Sequence, residues 1–161
     1  MSADEPMTTR RDLLIGATAL AAGAGIVSVL PVSEARATPA SMDAAIKKVV
    51  GSAPLRKGKV TLNLPPIVEN GNTVSLDVAV ESPMTPDNHV KAIHVFNEKN
   101  PLPNVISAKL SPRAGQAKVS TRMRLADSQR VMAVAELSDG TFWSDEVDVI
   151  VTIAACLEDP V

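Results

Sequence analysis

Apolar and polar residues alternate in short runs along most of the chain from residue 60 onward. In residues 73–82, Val74, Leu76, Val78 and Val80 alternate mostly with polar side chains. This period of two is typical of a strand with one buried face. Similar runs cover residues 60–64, 90–97, 105–110, 117–125, 129–137 and 141–153. The pattern therefore predicts about seven short strands at the spacing of a β-sandwich.

Turn-forming residues separate these runs. Pro65 and Pro66 end the first run, because proline has no backbone N–H to donate to a β-ladder. The sequences Glu-Asn-Gly-Asn at 69–72 and Ser-Asp-Gly at 138–140 predict tight turns, since Asn, Asp and Gly tolerate the backbone angles that turns require. The second of these turns joins the last two predicted strands directly.

A short helix is predicted ahead of the strands. Residues 41–50 contain several alanines, Ser41 is placed to act as the N-cap, and Gly51 stands at the position where helices commonly stop. Helix and strands together predict an all-β fold, an antiparallel immunoglobulin-like β-sandwich with one short N-terminal helix.

The beginning of the chain has the pattern of an export signal. Arg10 and Arg11 form a twin-arginine pair, residues 13–30 carry no charge, and an Ala-Arg-Ala sequence then supplies the small-x-small pattern of a cleavage site. We therefore predict a twin-arginine signal peptide over residues 1–37 and one domain over residues 38–161.

This signal predicts a periplasmic location, with no stable membrane anchoring after cleavage. A retained anchor is the alternative, because an uncharged stretch of about 18 residues is at the lower limit for spanning a bilayer. The formal net charge is −2, and no basic stripe in the sequence indicates a nucleic-acid partner.

Cys156 is the single cysteine, five residues from the end of the sequence, and it follows the last predicted strand. One cysteine cannot form an internal disulfide. In an oxidising compartment such a thiol is buried and inert, paired with another molecule, or used chemically.

No other residue pattern indicates a site. His89 and His94 are the two histidines of the sequence and have no metal-ligand spacing with Cys156, so no metal or cofactor is predicted. The sequence offers no nucleophile with an adjacent base, no pair of carboxylates at a spacing that indicates acid–base catalysis and no phosphate-binding loop. These observations predict that the protein is not an enzyme.

Two groups of side chains have an ordinary structural interpretation. Phe142 and Trp143 are expected to pack in the core or against a partner. Arg122, Arg124 and Arg130 could gather into a basic patch, although a solvated strand face explains them equally well.

Several sequence motifs, taken together, resemble one protein family along most of residues 38–161. The motifs are Glu-Asn-Gly-Asn at 69–72, Ser-Pro-Met at 82–84, His-Val-Lys-Ala-Ile-His at 89–94, Asn-Glu-Lys-Asn-Pro-Leu-Pro at 97–103, Ser-Thr-Arg at 120–122, Asp-Gly-Thr-Phe-Trp at 139–143, Val-Thr-Ile at 151–153 and Cys156. With these motifs the chain is similar to SoxY, the sulfur-compound carrier subunit of the periplasmic Sox thiosulfate-oxidation system.

The resemblance implies a β-sandwich that forms a heterodimer with a SoxZ-like subunit and carries sulfur intermediates covalently on a C-terminal cysteine, which here would be Cys156. In that family the carrier is not the catalyst. Sulfur-oxidation enzymes of the Sox system load thiosulfate oxidatively, oxidise the sulfane sulfur and release sulfate.

The C-terminal arm departs from the family pattern. The family arm has a Gly-Gly-Cys-Gly-Gly type motif, whereas Cys156 here lies in the sequence Ala-Ala-Cys-Leu-Glu. Alanine and leucine make the arm stiffer and bulkier than glycine would. Glu158 and Asp159 add negative charge, which disfavours a thiolate and repels a dianion such as thiosulfate. The alternative function is therefore a binding or structural module that keeps the SoxZ-type interface without the carrier chemistry.

Overall fold

Nine strands and one α-helix make up residues 37–154, the part of the chain that the computed structural model describes. The helix is α1 (Pro39–Val50), and a short 3-10 helix lies at Pro112–Ala114. The strands are β1 (Leu55–Lys57), β2 (Val60–Asn63), β3 (Ile67–Asn70), β4 (Val74–Val80), β5 (Val90–Asn97), β6 (Asn104–Lys109), β7 (Ala117–Met123), β8 (Gln129–Leu137) and β9 (Phe142–Ile153).

The strands form two sheets that pack as a sandwich. The larger sheet has the order β1-β9-β8-β5-β6, and β3 also pairs with β9; the smaller sheet has the order β2-β4-β7. The β8–β9, β5–β8, β5–β6, β2–β4 and β4–β7 pairs are antiparallel. By contrast, β1 and β3 are parallel to β9 and pair with its first and second halves.

The predicted immunoglobulin-like sandwich with one N-terminal helix is confirmed, and the seven predicted strands are all present. β8 has the predicted bounds, and β4 alternates buried and more exposed residues as expected. The structure adds β1 and β3, which are three and four residues long. Strands this short contain too few residues for an alternation to be recognised.

Two local predictions need correction. Glu69 and Asn70 belong to β3 rather than to a turn, and the turn begins at Gly71. The helix N-cap is Thr38 rather than Ser41: the Ser41 N–H donates to the Thr38 hydroxyl, and the Thr38 N–H donates to the Ser41 hydroxyl. The two hydroxyls thus form a reciprocal capping box one turn earlier than predicted, while Gly51 ends the helix as expected.

The hydrophobic core has two layers. Between the sheets, β4 contributes Leu76 and Val78, which are fully buried together with Ile93 and Val95 of β5. On the outer face of the larger sheet, α1 covers a second cluster, whose buried members are Met42, Val50, Phe96, Val134 and Phe142. The helix therefore shields one face of the sheet that carries β9.

A side-chain contact joins the two sheets beside β9. The carboxylate of Asp145 on β9 accepts a hydrogen bond from the backbone N–H of Leu62 on β2, with an Oδ2 to N distance of 2.8 Å. Because β2 is the first strand of the smaller sheet, this bond places its edge against β9. β6 and β7, at the other ends of the two strand orders, consequently lie on the opposite side of the sandwich.

Residue 37 belongs to the packed structure. Ala37 is buried, and its backbone N–H donates to the carbonyl oxygen of Asn100 over 2.7 Å. The predicted signal boundary after residue 37 therefore falls at the first described residue. Residues 1–36 lie outside the described part of the chain, as do Arg10 and Arg11.

We expect a protein that begins at Thr38 to be less stable than one that begins at Arg36. It lacks the Ala37 contact with Asn100, and its terminal ammonium group lies at the positive end of α1. The free energy of unfolding should be lower by about 1–2 kcal/mol, measured by urea denaturation of the two proteins at pH 7. Equal unfolding midpoints would contradict a structural role for Ala37.

Candidate functional site

The candidate site is the C-terminal end of β9, because this strand leads to the one cysteine of the sequence. The end of β9 is held by backbone hydrogen bonds from the segment around β3. The N–H of Ile150 donates to the carbonyl of Pro66 over 2.8 Å, and the carbonyl of Ile153 accepts from the N–H of Gly71 over 2.9 Å. The strand is thus fixed up to its last residue.

The turn after β3 is itself rigidly built. The side-chain oxygen of Asn70 accepts from the N–H of Asn72 over 2.9 Å, as in an Asx turn. The carbonyl of Gly71 accepts from the N–H of Leu125 over 2.8 Å. Gly71 therefore links the end of β9 to the segment that follows β7, through one peptide N–H and one carbonyl.

Side-chain hydroxyls support the end of β9 on both sides. Thr152 donates from Oγ1 to the carbonyl of Glu69 at 3.1 Å, on the β3 side. On the other side, the Ser128 hydroxyl accepts from the N–H of Val151 at 2.9 Å. Sequence reasoning missed the roles of Ser128 and Thr152, because their hydrogen-bond partners are distant in sequence or on a strand that was not predicted.

Cys156 lies outside the described residues, three positions after Ile153. Chain connectivity alone limits its Cα atom to within about 11 Å of the Cα atom of Ile153. The structure thus defines a firm base for the cysteine arm, the β3–β9 pair with Gly71 and Ser128.

Exposed isoleucines surround this base. Ile67 and Ile150 are paired neighbours on β3 and β9 and are 63% and 57% exposed, and Ile153 is 64% exposed. Most other isoleucine, leucine and valine side chains of the sandwich are buried or partly buried. The base of the arm therefore presents an apolar rim to its surroundings.

The two histidines differ in the described structure, because His94 forms a side-chain hydrogen bond whereas the buried Nδ1 of His89 has no hydrogen-bond partner. His94 is half-buried on β5, and its Nδ1 lies 2.8 Å from the Ser107 hydroxyl on β6. Burial lowers the pKa of His94, against a smaller opposing effect of Glu136. His89 is bound through its backbone N–H to the Ser138 hydroxyl. Within residues 37–154 there is no group of three or more His, Cys, Asp or Glu side chains that could hold a metal ion.

The aromatic pair at the start of β9 packs as expected. Phe142 is buried under α1, and Trp143 is half-buried, with its Nε1–H donating to the Thr141 hydroxyl over 3.0 Å. Two cations lie over the indole: Lys59 Nζ is 4.8 Å and the Arg56 guanidinium carbon 5.7 Å from the ring centroid. Trp143 lies at the opposite end of β9 from the cysteine arm.

The three candidate arginines do not form one patch. Arg130 lies on β8, where its guanidinium contacts Glu98 at 3.0 Å and Glu146 at 3.6 Å. Arg122 is on β7 of the other sheet, and Arg124 follows β7; both are exposed. Arg130 is thus committed to a structural ion-pair network, whereas the other two are exposed on the β7 side.

Comparison with protein families identifies the chain. Residues 46–156 match the family described as "Sulfur oxidation protein SoxY". The chain belongs to the SoxY family. The matched region ends at Cys156, so it contains the whole sandwich from within α1 onward together with the cysteine.

Solved structures support this SoxY-family assignment. The sulfur carrier protein SoxY from Chlorobium limicola f thiosulfatophilum is 30% identical, with a TM-score of 0.59 over 71% of this chain and 98% of that one. No curated protein sequence matches the chain.

More distant matches show the fold alone. The superoxide reductase (neelaredoxin) from Ignicoccus hospitalis is 16% identical, with a TM-score of 0.53 over 71% of this chain and 94% of that one. The superoxide reductase from Nanoarchaeum equitans is 12% identical, with a TM-score of 0.51 over 60% of this chain and 100% of that one. No described helix is long and apolar enough to cross a membrane.

Proposed function

We propose that this SoxY-family protein is a periplasmic carrier that holds sulfur intermediates covalently on Cys156 and presents them to partner enzymes without catalysing their conversion. The observation that supports this most directly is the architecture of β9. The strand is bonded on both sides up to Ile153, and the single thiol follows three residues later. A reactive group just beyond a fixed strand end can be offered to another protein while the sandwich stays folded.

The loading chemistry follows from the sulfur valences. The Cys156 thiol loses its proton to solvent, and its sulfur forms a bond to the outer sulfur of thiosulfate. The product is a cysteine S-thiosulfonate, and its formation releases two electrons, which a partner oxidoreductase accepts. Loading therefore requires an electron acceptor, which we propose is a sulfur-oxidation enzyme of the Sox system.

The partners proposed are a SoxZ-like subunit, which forms a heterodimer with the sandwich, and the sulfur-oxidation enzymes of the Sox system. The apolar rim of Ile67, Ile150 and Ile153 gives these enzymes a surface to contact at the base of the arm. Export through the twin-arginine pathway would bring the folded carrier to the periplasm.

The alternative is a binding module with the SoxZ-type interface and no carrier chemistry. It is favoured by one observation, the replacement of glycines around Cys156 by Ala155 and Leu157, with Glu158 and Asp159 close by. Under this alternative the thiol is never loaded, although the sandwich and its partner are unchanged.

The deciding measurement is the intact mass of the protein purified from its host during growth on thiosulfate. We expect mass additions that correspond to sulfur or thiosulfate and that a thiol reductant removes, because disulfide-type sulfur bonds are reducible. Protein from cells grown without reduced sulfur compounds is the control and should lack the additions. An unmodified mass under both conditions would contradict the carrier function and support the binding module.

A further inference from the structure

The distribution of charge along the sequence is uneven in one segment. Residues 99–126 contain no Asp or Glu, although acidic residues outnumber basic ones in the whole chain by 18 to 16. The segment runs from the second residue of the β5–β6 loop through β6, the 3-10 helix and β7 to the residue before Asp127. Its cations are Lys99, Lys109, Arg113, Lys118, Arg122 and Arg124.

Most of these cations have no counter-charge in the described structure. Lys99 forms an ion pair with Asp127 at 2.9 Å. The other five are exposed and form no ion pair with any residue of 37–154. In contrast, Lys57, Lys91 and Arg130 elsewhere in the sandwich all contact carboxylates. Asp77 of β4 lines the same depression as Arg122 without forming an ion pair with it, so the five cations still outnumber this nearby acidic residue.

The fold gathers this segment on one side of the sandwich. β6 is the last strand of the larger sheet and β7 the last strand of the smaller one, and the 3-10 helix connects them. Both strands are edges on the side opposite to the Leu62–Asp145 contact. We refer to residues 99–126 on this side of the sandwich as the β6–β7 surface.

The β6–β7 surface also has apolar residues. Leu102 is 71% exposed, the most exposed large hydrophobic side chain of the described chain. It adjoins a shallow depression that Val105 and Arg124 help to line. Further partly buried residues at the rim of the core are Ile106, Leu110 and Val119. A cationic surface that also exposes apolar residues has the mixed composition of a protein docking site.

An open strand edge accompanies these side chains. β7 pairs with β4 over seven consecutive residue pairs without a bulge, and it has no strand partner on its other side among the described residues. It contains no proline, which would block pairing. Regular edges of this kind accept a strand or a flat β-surface from another protein.

We infer that the β6–β7 surface is the site at which the partner subunit docks, and that this partner presents an acidic surface. The inference rests on the proposed function, which requires a partner, and adds where it binds and what charge it carries. One end of this surface adjoins the base of the cysteine arm, because the Leu125 N–H donates to the Gly71 carbonyl and the Gly71 N–H donates to Ile153 at the end of β9. A partner docked on β6 and β7 would therefore lie beside the arm.

Charge and composition argue against two other binding partners for the β6–β7 surface. A second copy of this chain in a symmetric pair would place five unpaired cations against the same five, which is repulsive. A nucleic acid would meet cations but no stacking platform, because residues 99–126 contain no aromatic side chain. An acidic protein surface meets both the cations and the apolar residues.

The test uses the SoxZ-type subunit of the same host as the probe and titrates it into the mature protein. We expect Lys118→Glu with Arg122→Glu to weaken the dissociation constant by at least about 100-fold, because like charges face each other across the interface. The matched control, Lys47→Glu with Lys48→Glu on α1, changes the net charge equally and should stay within about 3-fold of the unaltered protein. Affinity of the unaltered protein should also fall with added salt.

Three other results of this titration would contradict the docking of the partner on the β6–β7 surface. Equal losses for both double variants would show a general charge effect, and unchanged affinity for Lys118→Glu with Arg122→Glu would place the interface elsewhere. No binding by the unaltered protein would exclude this partner, while sulfur additions on Cys156 could still be found and would leave the carrier role intact. If the reversal variant fails to fold, Lys118→Gln with Arg122→Gln should show a smaller loss of affinity in the same direction.

Discussion

Replacement of Cys156 by serine should stop thiosulfate-dependent sulfur oxidation in the host. Serine matches cysteine in size, so the arm and the sandwich are unchanged, but its hydroxyl is a far weaker nucleophile than a thiolate at neutral pH. Cys156 is the only thiol in the chain, so no second residue can take over the sulfur. The expected result is loss of thiosulfate oxidation to the level of a deletion strain, measured as thiosulfate consumption by intact cells.

A second variant of the arm tests whether the removal of negative charge promotes the reaction of the thiol. Glu158→Gln with Asp159→Asn keeps the thiol and removes two negative charges next to it. Removal of nearby negative charge favours the thiolate and the approach of anionic thiosulfate. We therefore expect faster alkylation of the thiol and oxidation at least equal to that of the unaltered protein. Normal thiosulfate oxidation by the Cys156→Ser strain would contradict the carrier function.

The second large effect concerns the helix. Phe96→Ala should lower the free energy of unfolding by about 3–5 kcal/mol, because truncation of a fully buried phenylalanine leaves a cavity. Phe96 has no exposed surface and lies with Met42, Val134 and Phe142 between α1 and the larger sheet. A loss of this size is a large part of the stability of an average domain. Urea denaturation followed by circular dichroism measures it.

Leu102→Ala is the control for this substitution. Leu102 is 71% exposed, so its truncation should change the free energy of unfolding by no more than about 0.5 kcal/mol. If Phe96→Ala cost less than about 1 kcal/mol, α1 would not cover this face of the sheet in solution. The comparison thus tests the helix placement, which sequence reasoning did not predict.

Seven of the strands could be predicted from the sequence because their signal is local. In β4, every second residue from Val74 to Val80 is apolar and buried, and β8 begins and ends at the predicted residues. The N-cap was misplaced because Thr38 and Ser41 can both cap a helix, and the choice between them depends on a reciprocal hydrogen bond.

β1 and β3 could not be predicted because their signal is not local. Each is a short strand parallel to β9, and Ile67 of β3 pairs with Ile150, which is far along the chain. Parallel pairing of this kind depends on the rest of the sandwich bringing the strands together. The same holds for Ser128, whose hydroxyl binds Val151 only when β8 and β9 are adjacent.

The sequence by itself determined the alternating strands, the likeness to SoxY and the presence of one thiol after the last strand, since these depend on residue identity and short-range spacing. It also contains the acid-free segment, but it does not show where in the fold the cations of that segment lie. Tertiary structure alone decided that β3, Gly71 and Ser128 hold the end of β9, and that β6 and β7 bring the unpaired cations to one side. Both arrangements join residues that are distant in sequence, so they exist only once the two sheets have packed.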